Sequence, residues 1–341
     1  MSNTRTIRVA QIGCGYWGPN LLRNLAGIPT CEVSLLVEAS PDRRSYVAQN
    51  CPSVPTGAEA EAAFTDSSIE ACVIATPART HFELAKRALE HGKHIFVEKP
   101  LAMTVAEVDA LAALARPRGL VVMAGHTFLY NAAVRHLREL IVSGELGRIF
   151  CIYSQRLNLG ILRSDINVMW NLAPHDIAIL CYLLGGPPAS VSAVGTDFIQ
   201  PGIEDVVFMD MEWPDRVRGH VHVSWLDPNK IRSVTVVGSR KMAVYDDVAK
   251  DKIAIYDKGI DLVQDANQGM PYDRPSANRP VHRSGQVVFP ELDYPEPLRT
   301  EMDHFFDCVR TGNEPLTGLT HAREVVRILE LGEQSLAARR R

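Results

Sequence analysis

Three glycines, Gly13, Gly15 and Gly18, stand at GxGxxG spacing between a β-branched run ending at Ile12 and the apolar start of a helix near Leu21. That pattern suits a nucleotide diphosphate. The first glycine permits a tight turn, the second lets a pyrophosphate approach the backbone, and the third lets helix pack on strand. The helix N-terminus offers unpaired N–H groups and a positive dipole end to the anion. Tyr16 and Trp17 lie within the turn, where their backbone amides would face the pyrophosphate and their rings would act as lid or packing. Glu38 ends the next apolar run, 20 residues after Gly18. A carboxylate there accepts both ribose hydroxyls and repels a 2′-phosphate, which favours NAD over NADP. Arg43 and Arg44 just beyond it are either phosphate partners or solvated charges at a helix start.

Thr76-Pro77 and Glu98-Lys99-Pro100 each follow a short apolar run, so both stand where a parallel strand ends. A lysine partly desolvated at such an edge can polarise a substrate oxygen or relay its proton; a solvated strand-terminal lysine does neither. Pro174 suits the first position of a helix, which places His175 in the first turn. There the helix dipole and a nearby Lys99 would keep the imidazole neutral, as a general base for a hydroxyl requires; packing and capping is the competing role. Arg163, Asp165, Asn167 and Asn171, just upstream, suit phosphate and hydroxyl recognition, or are simply solvated. His81 and His126 lack metal-ligand spacing and read as packing near the cofactor edge, so no metal site is expected. Tyr130 and Asn131 open the second half within reach of a substrate.

These residues need a scaffold, and the punctuation of the chain supplies one. To about residue 125, strands alternate with helices, two of them opened by the capping-box patterns Thr80 to Glu83 and Thr104 to Glu107. Such alternation demands a parallel, doubly wound Rossmann sheet whose ligands bind beyond the carboxyl ends of its strands. From residue 126 to 341 a helix, a strand and another helix precede a succession of strands, which implies an α+β domain with a large, mostly antiparallel open sheet. Residues 259–297, rich in proline and glycine, read as a long ordered loop before two closing helices. The expected domains are therefore a dinucleotide-binding 1–125 and a substrate-binding 126–341.

Composition narrows the function classes. At 341 residues the chain exceeds one ordinary core, and 46% hydrophobic with 22% charged residues is globular. A formal charge of −4 provides no field to recruit nucleic acid or an anionic membrane. Seven scattered cysteines without a CxxC pair argue against a disulfide framework or zinc site. No apolar leader or long apolar span is visible, so the expected location is the reduced cytoplasm.

GCGYWG, TPARTHFELAKRALEHGKHIFVEKP and a histidine at the head of a second-domain helix together resemble the Gfo/Idh/MocA family of NAD(P)-dependent oxidoreductases. The segment LGILRSDINVMWNLAPHDI is similar to its branch of UDP-N-acetylglucosamine and UDP-N-acetylglucosaminuronic acid 3-dehydrogenases, which serve surface-polysaccharide synthesis. The resemblance implies that Lys99 and His175 are catalytic and that Gly13, Gly15, Gly18 and Glu38 hold the cofactor. It also implies oxidation of a C3 hydroxyl and a homodimer or homotetramer joined through the open face of the second sheet. Asn171 departs from family members that oxidise free polyols and carry aspartate four residues before the histidine. Asp176 either orients His175 or caps the helix. An NADPH-dependent keto-sugar reductase, an NAD-dependent glycosidase and a non-catalytic dinucleotide sensor are the alternatives within the same fold.

Overall fold

The computed structural model describes residues 5–263 and 279–339 and separates into two compact units, residues 1–131 with 295–334 and residues 132–294 with 335–341. In the first unit β1 (Ile7–Ile12), α1 (Gly18–Ala26), β2 (Cys31–Val37), α2 (Pro41–Asn50), β3 (Thr56–Gly57), α3 (Glu61–Thr65) and β4 (Ala71–Ile74) are followed by α4 (His81–Glu90), β5 (His94–Glu98), α5 (Val105–Ala115) and β6 (Val122–Gly125). The six strands pair in parallel in the order β3-β2-β1-β4-β5-β6. Strand order reverses at β1, so the turns leaving β1 and β4 border the crevice where such sheets bind ligands. Buried Val9, Ala10, Ile12 and all four residues of β4 show a sheet covered on both faces.

The second unit contains α6 (Ala132–Val142), β7 (Ile149–Leu157), α7 (Val168–Leu184), β8 (Ser190–Thr196), β9 (Val206–Glu212), β10 (Arg218–Ser224), β11 (Ile231–Gly238), β12 (Met242–Asp246), β13 (Ile253–Val263) and β14 (Arg279–Val288). Its sheet runs β14-β13-β12-β11-β7-β10-β9-β8 and is antiparallel except for β7 with β10. Along β9, Val207, Met209 and Met211 are buried while Phe208 and Asp210 face outward. α7 packs on the buried face, against β7, β9 and β10.

Three expectations are corrected. Residues 259–297 are not one long loop: β13 continues to Val263 and pairs antiparallel with β14, a long-range ladder that proline and glycine content conceals; residues 264–278 of that stretch lie outside the described residues. The last helices, α8 (Pro297–Thr311) and α9 (Leu319–Arg339), do not simply close the second domain, because residues 295–334 group with the first unit. α8 packs on α1 and on the turn at residues 127–130. Thr104 and Glu107 form their capping box, but Thr80 and Glu83 do not. The Thr80 hydroxyl bonds Pro77 O (2.7 Å) and the Thr76 hydroxyl (2.7 Å) instead. No described helix is long and apolar enough to cross a membrane.

Candidate active site

The glycine turn is built from the strand outward. Gly13 has φ +94°, and a Cβ there would lie 2.5 Å from Ala75 O, so only glycine fits. A Cβ on Gly18 would approach Gly13 O to 3.0 Å. At Gly15 the same atom would meet only the Arg43 guanidinium, at 3.6 Å. The turn is thus closed below and open above, the shape that a diphosphate requires. Buried Gln11 braces it by donating through Nε2 to Gly13 O (3.0 Å) and Gly18 O (2.9 Å). A glutamine within an apolar strand was the sequence signal for this residue, and the pattern of glycines overshadowed it.

Glu38 is buried at the end of β2, where its carboxylate accepts from Cys14 N (2.7 Å) and Ser40 N (2.9 Å). Arg44 donates to the carbonyls of Glu38 and Ala39, so this arginine is part of the turn rather than a loose surface charge. Tyr16 is 89% exposed. Trp17 is 39% exposed, with its indole close enough to Glu98 to favour the charged carboxylate.

Glu98 ends β5, two strands from β1, Lys99 follows it, and the Lys99-Pro100 peptide is cis. Lys99 N donates to Glu98 Oε2 at 3.3 Å. Gly125, directly across the ladder from Glu98, leaves room for that side chain, since a Cβ would come within 3.2 Å of the carboxyl carbon. Burial pushes the Glu98 carboxyl up to about 7, against the pull of the Lys99 charge and of the nearby Trp17 indole. Beneath lie Glu301, which accepts from Thr127 Oγ1 (2.6 Å), and the edge-to-face rings of His126 and His321. Burial drives Glu301 well above, and His126 well below, their ordinary values. This polar layer comes partly from α8 and α9, and no local pattern announces it.

In the second unit the helix carrying His175 starts earlier than Pro174 suggested. Asn167 is its N-cap, accepting from Trp170 N (3.1 Å), and Pro174 lies inside α7. His175 therefore sits in the second turn, half-buried, and the dipole argument for a first-turn imidazole does not apply. Asn171 and His175, four apart, share one helix face, and Trp225 Nε1 donates to Asn171 Oδ1 at 3.2 Å. Asp176 neither caps the helix nor turns toward His175; it pairs with buried Arg156 and with Ser154 Oγ (2.5 Å). Arg163 meets Asp165 through Nε (2.9 Å) and Nη2 (3.1 Å), while Asn167 also donates to Glu204 (3.0 Å). Among the described residues no group of three His, Cys, Asp or Glu side chains is placed to hold a metal ion.

Residues 7–126 match the oxidoreductase family with NAD-binding Rossmann fold, and residues 134–244 match the GFO/IDH/MocA C-terminal domain. An uncharacterised oxidoreductase of Escherichia coli strain K12, YdgJ, is 31% identical over 69% of this chain and 69% of its own. UDP-N-acetylglucosamine 3-dehydrogenase of Acidithiobacillus ferrooxidans is 30% identical over 55% of this chain and 58% of its own. A candidate oxidoreductase from Magnetospirillum magnetotacticum MS-1, known as a crystal structure, superposes with a TM-score of 0.77 at 28% identity, covering 96% and 99% of the two chains. The chain spans 60% and 59% of the length of curated relatives in Streptococcus pneumoniae and Mediterraneibacter gnavus. With both halves matched in order, the chain belongs to the GFO/IDH/MocA family of oxidoreductases.

Proposed function

We propose that the protein is an NAD-dependent dehydrogenase that oxidises the C3 hydroxyl of a nucleotide-linked sugar, UDP-N-acetylglucosamine or its uronic acid. The observation that carries the reading is the position of Lys99, directly after β5 on the sheet edge where the open glycine turn leaves β1. The similarity to the Acidithiobacillus ferrooxidans UDP-N-acetylglucosamine 3-dehydrogenase supports the substrate class.

Nicotinamide, when bound, supplies the hydride acceptor. Gly13, Gly15 and Gly18 would hold the diphosphate, with the amides of Tyr16 and Trp17 beside them, and Thr76, Pro77 and Glu98 would line the nicotinamide side. Glu38 presents negative charge where an adenosine ribose belongs, which favours NAD over NADP. Lys99 would hydrogen-bond the substrate oxygen as it becomes a carbonyl, and His175 would take the hydroxyl proton as the C3 hydride leaves. Arg163, Asp165 and Asn171 would meet sugar and phosphate oxygens, with Asn167 acting through the α7 cap. The outward face of the second sheet, carrying Tyr153, Val194 and Phe208, would join copies into a homo-oligomer.

The test is NADH formation when UDP-N-acetylglucosamine, its uronic acid and dTDP-linked sugars are offered in turn with NAD. A UDP-sugar should give signal that Lys99→Met and His175→Ala each reduce by roughly a hundredfold or more. Wild-type single-turnover rates in both variants would end the assignment. One observation favours a second reading: the Arg43 guanidinium beside Gly15 could neutralise a 2′-phosphate. Tighter binding of NADPH than NADH would select the reductase.

A further inference from the structure

The turns after β4 and β5 are bridged by one buried side chain. His81, the first residue of α4, is 1% exposed. Its Nδ1 lies 2.7 Å from Pro100 O and its Nε2 lies 2.9 Å from Thr76 O. Both partners are carbonyl oxygens, which only accept, so each ring nitrogen faces an acceptor. Burial first, and the Lys99 charge in addition, hold the imidazole below its ordinary pKa against these two carbonyls. The neutral ring carries one N–H, for which the two carbonyls compete. Thr80 makes no cap for α4 and bonds Pro77 O and the Thr76 hydroxyl, so two successive residues are given over to bracing the turn.

We infer that His81 is a positioning residue for Lys99: wedged between the Pro100 and Thr76 carbonyls and donating its one N–H to one of them, its buried imidazole fixes the backbone from which the Lys99 side chain projects. The inference rests on the reading of Lys99 as the group that contacts substrate. His81 itself lies below the turns, so its effect on chemistry passes through Lys99. An ordinary core histidine needs one partner or none; this ring spans two turns that leave adjacent strands, and Lys99 directly precedes the residue held.

Competitive acetylation with trace acetic anhydride, read by mass spectrometry on the whole folded protein, tests this without a substrate. The readout is labelling of Lys99 relative to exposed Lys250 in wild type, His81→Ala and His81→Gln. Loosening of the turn should raise the Lys99 to Lys250 ratio at least about threefold in His81→Ala, because modification follows local opening. His81→Gln, which retains an amide donor for one carbonyl, should fall between. Folded variants with lowered unfolding midpoints but an unchanged ratio would show a merely structural histidine and overturn the inference. Should His81→Ala fail to fold, the same ratio in His81→Gln decides. Lys99→Met that keeps wild-type hydride transfer from UDP-N-acetylglucosamine would instead sink the catalytic reading of Lys99, whatever the labelling shows.

Discussion

Arg156 and Asp176 form a buried ion pair between β7 and α7, with Nε to Oδ2 at 2.7 Å and Nη2 to Oδ1 at 3.3 Å. Both side chains are almost fully enclosed, and Ser154 completes the carboxylate's partners. Asp176 is next in sequence to His175, so the pair fixes the rotation of α7 and the direction in which the imidazole points. Removing one partner leaves a buried charge uncompensated. Asp176→Asn and Arg156→Met should each lower unfolding stability by about 3–5 kcal/mol. Replacing both by apolar residues should cost less than the sum of the two. Urea unfolding of the three variants checks this, and strict additivity would mean that the side chains do not act as a pair.

Gly13 and Gly15 should separate folding from binding. At Gly13 alanine would combine φ +94° with a 2.5 Å approach to Ala75 O, so Gly13→Ala should lose about 1–3 kcal/mol of stability. At Gly15 the added carbon meets only the tip of a flexible arginine, and stability should hardly change. Its methyl would stand where the diphosphate approaches, so Gly15→Ala should weaken NADH binding by roughly tenfold or more. Equal NADH affinity for wild type and a folded Gly15→Ala would show that the turn does not hold a diphosphate.

Two largely enclosed ionisable groups give stability opposite dependences on pH. Burial pushes His321 down to about 4, so between its ordinary 6.5 and 4 the unfolded chain binds a proton that the native state refuses. That contribution is full above 6.5 and is lost as pH falls toward 4, about 3 kcal/mol across the window. Glu98, raised to about 7 from 4.5, holds a proton that the unfolded carboxylate releases. Its contribution is full below 4.5 and is lost as pH rises toward 7. Relative to wild type, His321→Gln should therefore gain stability as pH falls, and Glu98→Gln as pH rises. Urea midpoints between about pH 4 and 8 provide the measurement, and curves parallel to wild type for both variants would contradict the burial of these groups.

The sheet edge was legible because each part of it is punctuated locally. Glycines require their turn, Thr76-Pro77 and Glu98-Lys99-Pro100 end apolar runs, and Glu38 ends a third. What stayed hidden depends on distant partners. The Thr80 and Thr104 patterns look alike, yet the first hydroxyl is taken by Pro77 O and only the second caps its helix. Pro174 suggested a helix start, while the cap is Asn167 and the proline is accommodated inside α7. The β13–β14 ladder, the Thr127–Glu301 hydrogen bond and the His126–His321 ring contact join residues far apart in the chain, which neither periodicity nor propensity can show.

Among the described residues, the second sheet exposes apolar side chains on the face away from α7. Tyr153 (40% exposed) on β7, Val194 (38%) on β8 and Phe208 (37%) on β9 point away from α7, with β10 lying between β7 and β9. Phe208 stacks on His222 with ring centroids 4.2 Å apart, and His220 Nδ1 lies 2.9 Å from Asp210 Oδ1. A face on which aromatic and β-branched side chains alternate with the histidines of β10 is suited to its own copy, because a two-fold axis brings identical stripes together. Light scattering at about 20 μM should return at least twice the chain mass, since an obligate interface of this kind commonly buries about 2,000 Å² or more. Tyr153→Asp with Phe208→Asp should give monomers, since each new carboxylate would have to be desolvated in the interface. NADH affinity should survive in the double variant, because the glycine turn belongs to the other unit. A wild-type monomer at that concentration would remove the proposed oligomer, and a double variant of unchanged mass would place the interface on another face.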